Sequence, residues 1–412
     1  MKYTIIGVFL LILISSNVPG QGLTKDQNNF LQKSSNVVCN DDLLQPNWDL
    51  LSTKLKNKRV ILLGEFTHGS KEIFELRNSL IRYLHQKAGI KVILFESGIG
   101  ELISIDINKN TMTPGQMVNG LFGGWRTKEF VELMDYVKSE NISIAGFDVQ
   151  RTGGSFISLL KEIAYKKKID SIYYYNLESR YGLLTRELTN NKAVYDSVKA
   201  NTQNLIFDYQ ALQDKLSQYN SDDNSRDLLF SIATIKNRIK FLSYMLTFVK
   251  DKNWNTRWAA RDSAMANNIH WLLENIYKNE SVIVIGHNFH IARFSEKESS
   301  MGEILSPKYG KEMYSLGVFA GSGSYHDNSG KEIQILPPDS VDLDIKHIID
   351  NLKGTVNFVD IPKNKLKGRE WLDNKIIVND TFIDLSNSNR MILSKSFDGL
   401  LLIKKVSPPK NH

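Results

Sequence analysis

The chain has 412 residues, of which 42% are hydrophobic and 24% charged, so it can bury one large core or two ordinary ones, which excludes a disordered or low-complexity chain. A single Cys excludes a disulfide framework and a Cys-built zinc site. The formal net charge of +7 is mild and its basic residues are dispersed, with only Lys166-Lys167-Lys168 as a run, so no nucleic-acid partner is expected.

Residues 1–20 read as a signal peptide. Lys2 precedes the apolar stretch Ile5 to Ile14, which is shorter than the roughly 20 residues a membrane span needs. Small residues and Val18-Pro19-Gly20 follow, as near a cleavage point. The expectation is an exported protein, periplasmic or secreted, with no stable membrane insertion once the peptide is removed. Residues 21–57 are polar and read as an irregular arm carrying Cys39.

Four apolar runs then end in polar signatures. Val60 to Leu63 leads into Gly64-Glu65, and Val92 to Phe95 into Glu96. Ile142 to Ala145 leads into Gly146-Phe147-Asp148, and Val282 to Ile285 into Gly286-His287. Such continuous runs suit parallel strands covered on both faces. Amphipathic helices lie between them, one over Glu72 to Leu84 and another over Lys128 to Lys138. The class is α/β, a central mostly parallel sheet flanked by helices.

Residues 156–280 read as a helical insertion. Leu205 to Tyr219 and Leu228 to Leu246 each carry apolar residues at helical spacing, as in a hairpin joined by Asn220 to Asn224. The hairpin is either a substrate wall or packing. Arg261-Asp262 opens a further helix before the 282–285 strand, and residues 404–412 read as a tail.

In open α/β sheets ligands bind beyond the carboxyl ends of the strands, so Glu65, Glu96, Asp148 and His287 should converge on one cleft. Asp148 also suits a helix cap. The turn Gly64-Glu65-Phe66-Thr67-His68-Gly69 is the sharpest element: glycines flank a Glu and a His three apart, so the carboxylate can orient the imidazole. His287 and His290 supply two more imidazoles, able to bind metal, hydrogen-bond an oxyanion or donate a proton. Arg77 follows on the next helix, where it can pair with Glu65 or Glu96 or hold an anion. The chain lacks a Gly-x-Ser-x-Gly elbow, a His-Glu-x-x-His pair and a P-loop. The chemistry is then general acid–base or metal work on a water molecule. No cofactor is expected, and a divalent metal stays open.

These residues resemble the erythromycin esterase family. Gly64-Glu65-Phe-Thr-His68-Gly69 with Glu72 and Arg77 is similar to its opening motif. Phe95-Glu96-Ser97, Trp125-Arg126, Gly146-Phe147-Asp148, Arg261-Asp262, His287-Asn288-Phe-His290 and Phe397-Asp398 follow in the family's order. The resemblance spans residues 58–403. It implies a macrolide-lactone or other ester substrate hydrolysed by water without a covalent serine. His68 would be the base, and Glu65, Glu96 and Arg77 would organise the site. His287 and His290 would polarise the carbonyl or assist the leaving alkoxide. Glu72, Trp125, Arg126, Asp148 and Asn288 would contact the substrate. The competing expectations are the same mechanism on an envelope polysaccharide or lipid ester, and a haem- or metal-binding protein of this fold.

Overall fold

The computed structural model describes residues 22–40, 45–220, 225–296, 298–339, 341–378 and 390–410. The expected signal peptide and residues 221–224 of the hairpin loop lie outside them. No helix among the described residues is long and apolar enough to cross a membrane.

Eleven strands run in chain order: β1 (Ser35–Cys39), β2 (Val60–Leu63), β3 (Val92–Gly98), β4 (Ser143–Asp148), β5 (Val282–Ile285), β6 (Met313–His326), β7 (Glu332–Gln334), β8 (Val356–Asp360), β9 (Lys375–Ile377), β10 (Arg390–Ile392) and β11 (Gly399–Val406). Nine form one sheet in the order β1-β8-β11-β6-β2-β5-β3-β4, with β7 on the end of β6, while β9 and β10 pair separately. From β11 across to β4 every neighbour is parallel, and β1, β7 and β8 add antiparallel pairs. Strands β2 to β5 have both faces buried apart from Ser143, as their unbroken Val, Ile and Leu content requires.

Register places the strand ends at one height. Ile285 of β5 pairs with Leu63 on one side and Phe95 on the other, and Phe95 pairs with Gly146. Glu65 and His287 therefore lie two residues beyond a shared level, just past their strands, while Glu96 lies one residue beyond it within β3 and Asp148 two residues beyond it at the end of β4. The expected convergence follows from this alignment.

The insertion is helical over Phe156–Lys166, Ser171–Thr189, Tyr195–Asn220, Arg226–Asp251 and Trp254–Trp271. The last of these begins at Trp254 with Asn253 as its cap, two turns before the expected Arg261.

Two stretches differ from their expected form. Residues 21–57 are not an irregular arm: they contain a helix at Lys25–Ser34, the edge strand β1 and a helix at Asp49–Leu55. Sparse apolar residues anchor them, with Phe30, Leu31, Val38, Cys39, Trp48, Leu51 and Leu55 all buried. Residues 404–406 complete β11 rather than opening a tail. The segment after it is clamped, since Lys71 N–H donates to the Ser407 carbonyl and Lys128 N–H to that of Lys410.

Candidate active site

The turn after β2 is shaped by close approach. A Cβ on Gly64 would lie 2.2 Å from Asn288 Oδ1, and one on Gly69 would lie 2.0 Å from the His326 carbonyl oxygen. Neither position can hold a larger residue without moving backbone, and the turn so pinned brings Glu65 against His68.

Glu65 is fully buried, and both of its oxygens are engaged. His68 Nδ1 lies 2.5 Å from Oε1, Trp125 Nε1 donates to the same oxygen at 2.8 Å, and Arg77 Nη1 donates to Oε2 at 2.7 Å. A carboxylate has no proton to give, so Nδ1 carries the hydrogen, and whenever the ring is neutral its lone pair is on Nε2. Arg77 is itself buried over the rings of Phe74, Trp125 and Phe130, each about 5 Å from its guanidinium carbon. The His68 ring packs against Phe122 and lies 5.3 Å from that of His287.

A second ionic cluster faces this one. Arg261 Nη2 donates to Glu96 Oε1 at 2.7 Å and to Asp148 Oδ2 at 2.6 Å, while Nε reaches Asp148 Oδ1 at 3.3 Å. The His287 backbone N–H donates to Glu96 Oε2 at 2.9 Å. Burial opposes the charge on Glu96, but His290, Arg261, His68 and that N–H together outweigh it and hold the carboxyl well below its usual range.

His290 donates through Nδ1 to Asp262 Oδ1 at 2.8 Å. Its Nε2 sits 3.0 Å from Arg261 Nη1 and 3.3 Å from Glu96 Oε1. A neutral ring accepts from the former; a charged ring donates to the latter. Burial disfavours the charge, yet Asp262 and Glu96 overcome it and raise the His290 pKa.

His287 is different. Its Nε2–H donates to the Phe66 carbonyl at 3.1 Å, and its Nδ1 accepts the Phe289 N–H at 3.3 Å. Burial, then the neighbouring His68, push its pKa well down, so the ring is neutral and both nitrogens serve the backbone. Its place is at the centre of the cluster, but neither nitrogen is offered to a carbonyl or an alkoxide.

The remaining expected residues divide. Trp125 and Asp148 belong to the cluster, each facing a charged partner rather than open space. Asn288 is buried with its amide bonded both ways to the Val318 backbone, at 2.8 and 3.0 Å. Arg126 donates to the Leu121 and Thr152 carbonyls and ties two loops. Glu72 stands apart from the site: it accepts the Ser407 N–H at 2.6 Å and hydroxyl at 2.5 Å, holding the C-terminal segment. Arg261 and Asp262 were not singled out as site residues from the sequence. The available signal was a charged pair in a helix whose apolar residues, Met265 and Ile269, face the core.

Among the described residues no group of three His, Cys, Asp or Glu is arranged to hold a metal ion. The carboxylate oxygens of Glu65, Glu96 and Asp148 already serve His68, Trp125, Arg77, Arg261 and backbone N–H donors. The arrangement supports proton transfer: one buried carboxylate–imidazole pair with a ring nitrogen to spare, facing a second pair whose imidazole is biased toward its charged form.

Comparison with known proteins bears on the family and the fold. The erythromycin esterase family model matches residues 85–406, so the Glu65–His68 turn precedes the matched stretch. YbfO of Bacillus subtilis (strain 168), whose name places it provisionally among the hydrolases, is 27% identical over 395 residues, covering 87% of this chain and 86% of its own. Erythromycin esterase type II of Escherichia coli is 24% identical over 304 residues, covering 64% and 70%. A Bacillus cereus crystal structure matches the fold with a TM-score of 0.75 at 20% identity, over 94% of this chain and 98% of the other. An erythromycin esterase mutant in its open conformation matches with a TM-score of 0.64 at 16% identity, over 91% and 98%. With the model spanning well over half of its length, the chain belongs to the erythromycin esterase family.

Proposed function

We propose that this family member is a carboxylic ester hydrolase in which His68 activates water. The observation that carries the reading is the 2.5 Å contact from His68 Nδ1 to the buried Glu65, which fixes the ring and leaves Nε2 as the basic nitrogen. In this reading Nε2 removes a proton from water as its oxygen bonds to the ester carbonyl carbon. The tetrahedral intermediate then collapses, the carbon–alkoxy bond breaks, and the leaving oxygen takes a proton from His290 or from the His68 imidazolium. The products are an acid and an alcohol, or a ring-opened hydroxy acid if the ester is a lactone.

The name of the Escherichia coli relative makes a macrolide lactone the first substrate to try. Incubation with erythromycin should yield a product heavier by one water, and His68→Ala should reduce that rate by roughly a hundred- to ten-thousandfold, the usual contribution of a general base. A His68→Ala enzyme with unchanged kcat would sink the assignment. We also propose export, resting on Lys2 and the apolar stretch after it, which cell fractionation tests directly.

A further inference from the structure

The helical insertion holds a cleft whose lining residues belong to neither ionic cluster. On the Arg226–Asp251 helix, Leu229, Ile232, Ala233, Lys236, Asn237 and Lys240 recur at three- and four-residue spacings, so they share one side. Ala264, Asn267, Asn268 and Trp271 do the same on the Trp254–Trp271 helix. A seam between neighbouring helices is ordinarily filled by interdigitating side chains. Here both stripes, with Ser217 of the Tyr195–Asn220 helix, line an open cleft of about 430 Å³, within the roughly 300–1,000 Å³ of small-molecule sites. Ala233 and Ala264 are too short to close it.

The floor of the cleft is fixed. Asn237 and Asn268 are buried and exchange amide hydrogen bonds at 3.0 and 2.7 Å. Their amide groups also donate to the Ala233 and Phe147 carbonyls at 2.9 and 2.8 Å. The same pair sets the register. The two helices run antiparallel from the connection at Lys252-Asn253, so Trp271 stands toward Leu229 and Ile232, while Ala264 and Asn267 stand toward Lys236 and Lys240. The cleft is therefore apolar at one end and cationic at the other. At the apolar end the Trp271 indole is half-buried, edge-on to Phe230 with 5.4 Å between ring centroids. At the cationic end Lys236 and Lys240 are exposed, and among the described residues neither meets a carboxylate. Like charges four residues apart on a helix repel each other, and an anion between them removes that repulsion.

We propose that this cleft binds a medium-chain fatty carboxylate, its chain along Leu229, Ile232 and the Trp271 indole and its head between Lys236 and Lys240. The rise from Leu229 to Lys240 is roughly 16 Å at about 1.5 Å per residue, which accommodates an extended chain of about ten carbons with its head. Cations at one end only select a ligand with a single charged head, which a polyanion lacks. Nothing in this binding depends on ester hydrolysis.

The test uses the intact protein and three probes, decanoate, decanol and acetate, in titration calorimetry below the concentration at which decanoate forms micelles. Decanoate should bind at one site per chain and acetate not measurably. Decanol should bind roughly five- to twenty-five-fold more weakly than decanoate, since an exposed ion pair is worth up to about fivefold and two are on offer. Lys236→Gln combined with Lys240→Gln should bring decanoate down to the affinity of decanol and leave decanol unchanged. Leu229→Gln should weaken both by roughly three- to tenfold through lost apolar contact. These three positions are exposed or half-buried, so the variants should keep the parent's melting temperature. His68→Ala should bind decanoate like the parent; loss of binding there would place the carboxylate at the Glu65–His68 pair and overturn the inference. Equal binding of decanoate and decanol, decanoate binding unchanged by the double lysine variant or by Leu229→Gln, or no saturable heat with decanoate would each overturn it as well.

Discussion

Replacing Arg261 by Met tests whether the second ionic cluster is held together as its geometry indicates. Met keeps much of the apolar stem of the side chain but removes donors to Glu96 at 2.7 Å and to Asp148 at 2.6 Å. Both carboxylates are nearly inaccessible to water, so neither can be resolvated in place. Breaking a buried pair by removing one partner costs about 3–5 kcal/mol, a large share of the roughly 5–15 kcal/mol that holds a domain folded. The cost should depend on pH. In the parent, Glu96 has its folded pKa depressed, so its contribution is present above the unfolded value and is lost only as the solution becomes strongly acid. Without Arg261, burial is opposed by less positive charge and the folded pKa of Glu96 moves upward. Where it passes the unfolded value, stability is retained at low pH and falls as pH rises through the unfolded value. Urea denaturation at pH 5 and pH 8 should therefore show a larger deficit at pH 8. Every tenfold weakening of Glu96 as an acid corresponds to about 1.4 kcal/mol. A deficit under about 1 kcal/mol, or one equal at both pH values, would refute the argument that Arg261 is the counter-ion keeping Glu96 charged.

Asp262→Asn removes a partner that raises the His290 pKa, so that pKa should fall in an imidazole NMR titration. The parent's His290 contribution, present below the unfolded value and lost as pH rises through the folded one, should shrink with it. Gly64→Ala drives a methyl against Asn288 Oδ1 and the Leu316 carbonyl, and should lower the unfolding free energy by about 1–3 kcal/mol; an unchanged melting temperature would show that the β2 turn has slack. Glu72→Ala should raise amide exchange at Ser407 and Lys410 with little change in turnover, whereas a large fall in kcat would return Glu72 to the site.

Much of the site was legible because of how a parallel sheet is built. A strand covered on both faces must be an unbroken apolar run, so its end is visible as the first ionisable residue after the run. Glu65, Glu96, Asp148 and His287 were located this way, and ligand sites beyond the carboxyl ends of parallel strands are the rule for open α/β sheets. The chain by itself determined the Glu65–His68 pairing as well, because both residues lie in one turn flanked by glycines.

Tertiary structure decided what each group is bonded to. Arg261 reaches Asp148 and Glu96 from the far end of the helical insertion, and no local spacing encodes a contact across that distance. His287 looked like a second catalytic imidazole until the Phe66 carbonyl and the Phe289 N–H were seen to take both its nitrogens. The N-terminal segment read as an arm because an edge strand that opens on Ser35 and Asn36 carries little apolar signal. It becomes a strand only because β8, some three hundred residues later, offers it hydrogen bonds. Composition and periodicity report which faces want burial. Which partner satisfies a buried charge is a property of the assembled fold, since a charge selects among every donor the fold brings within reach.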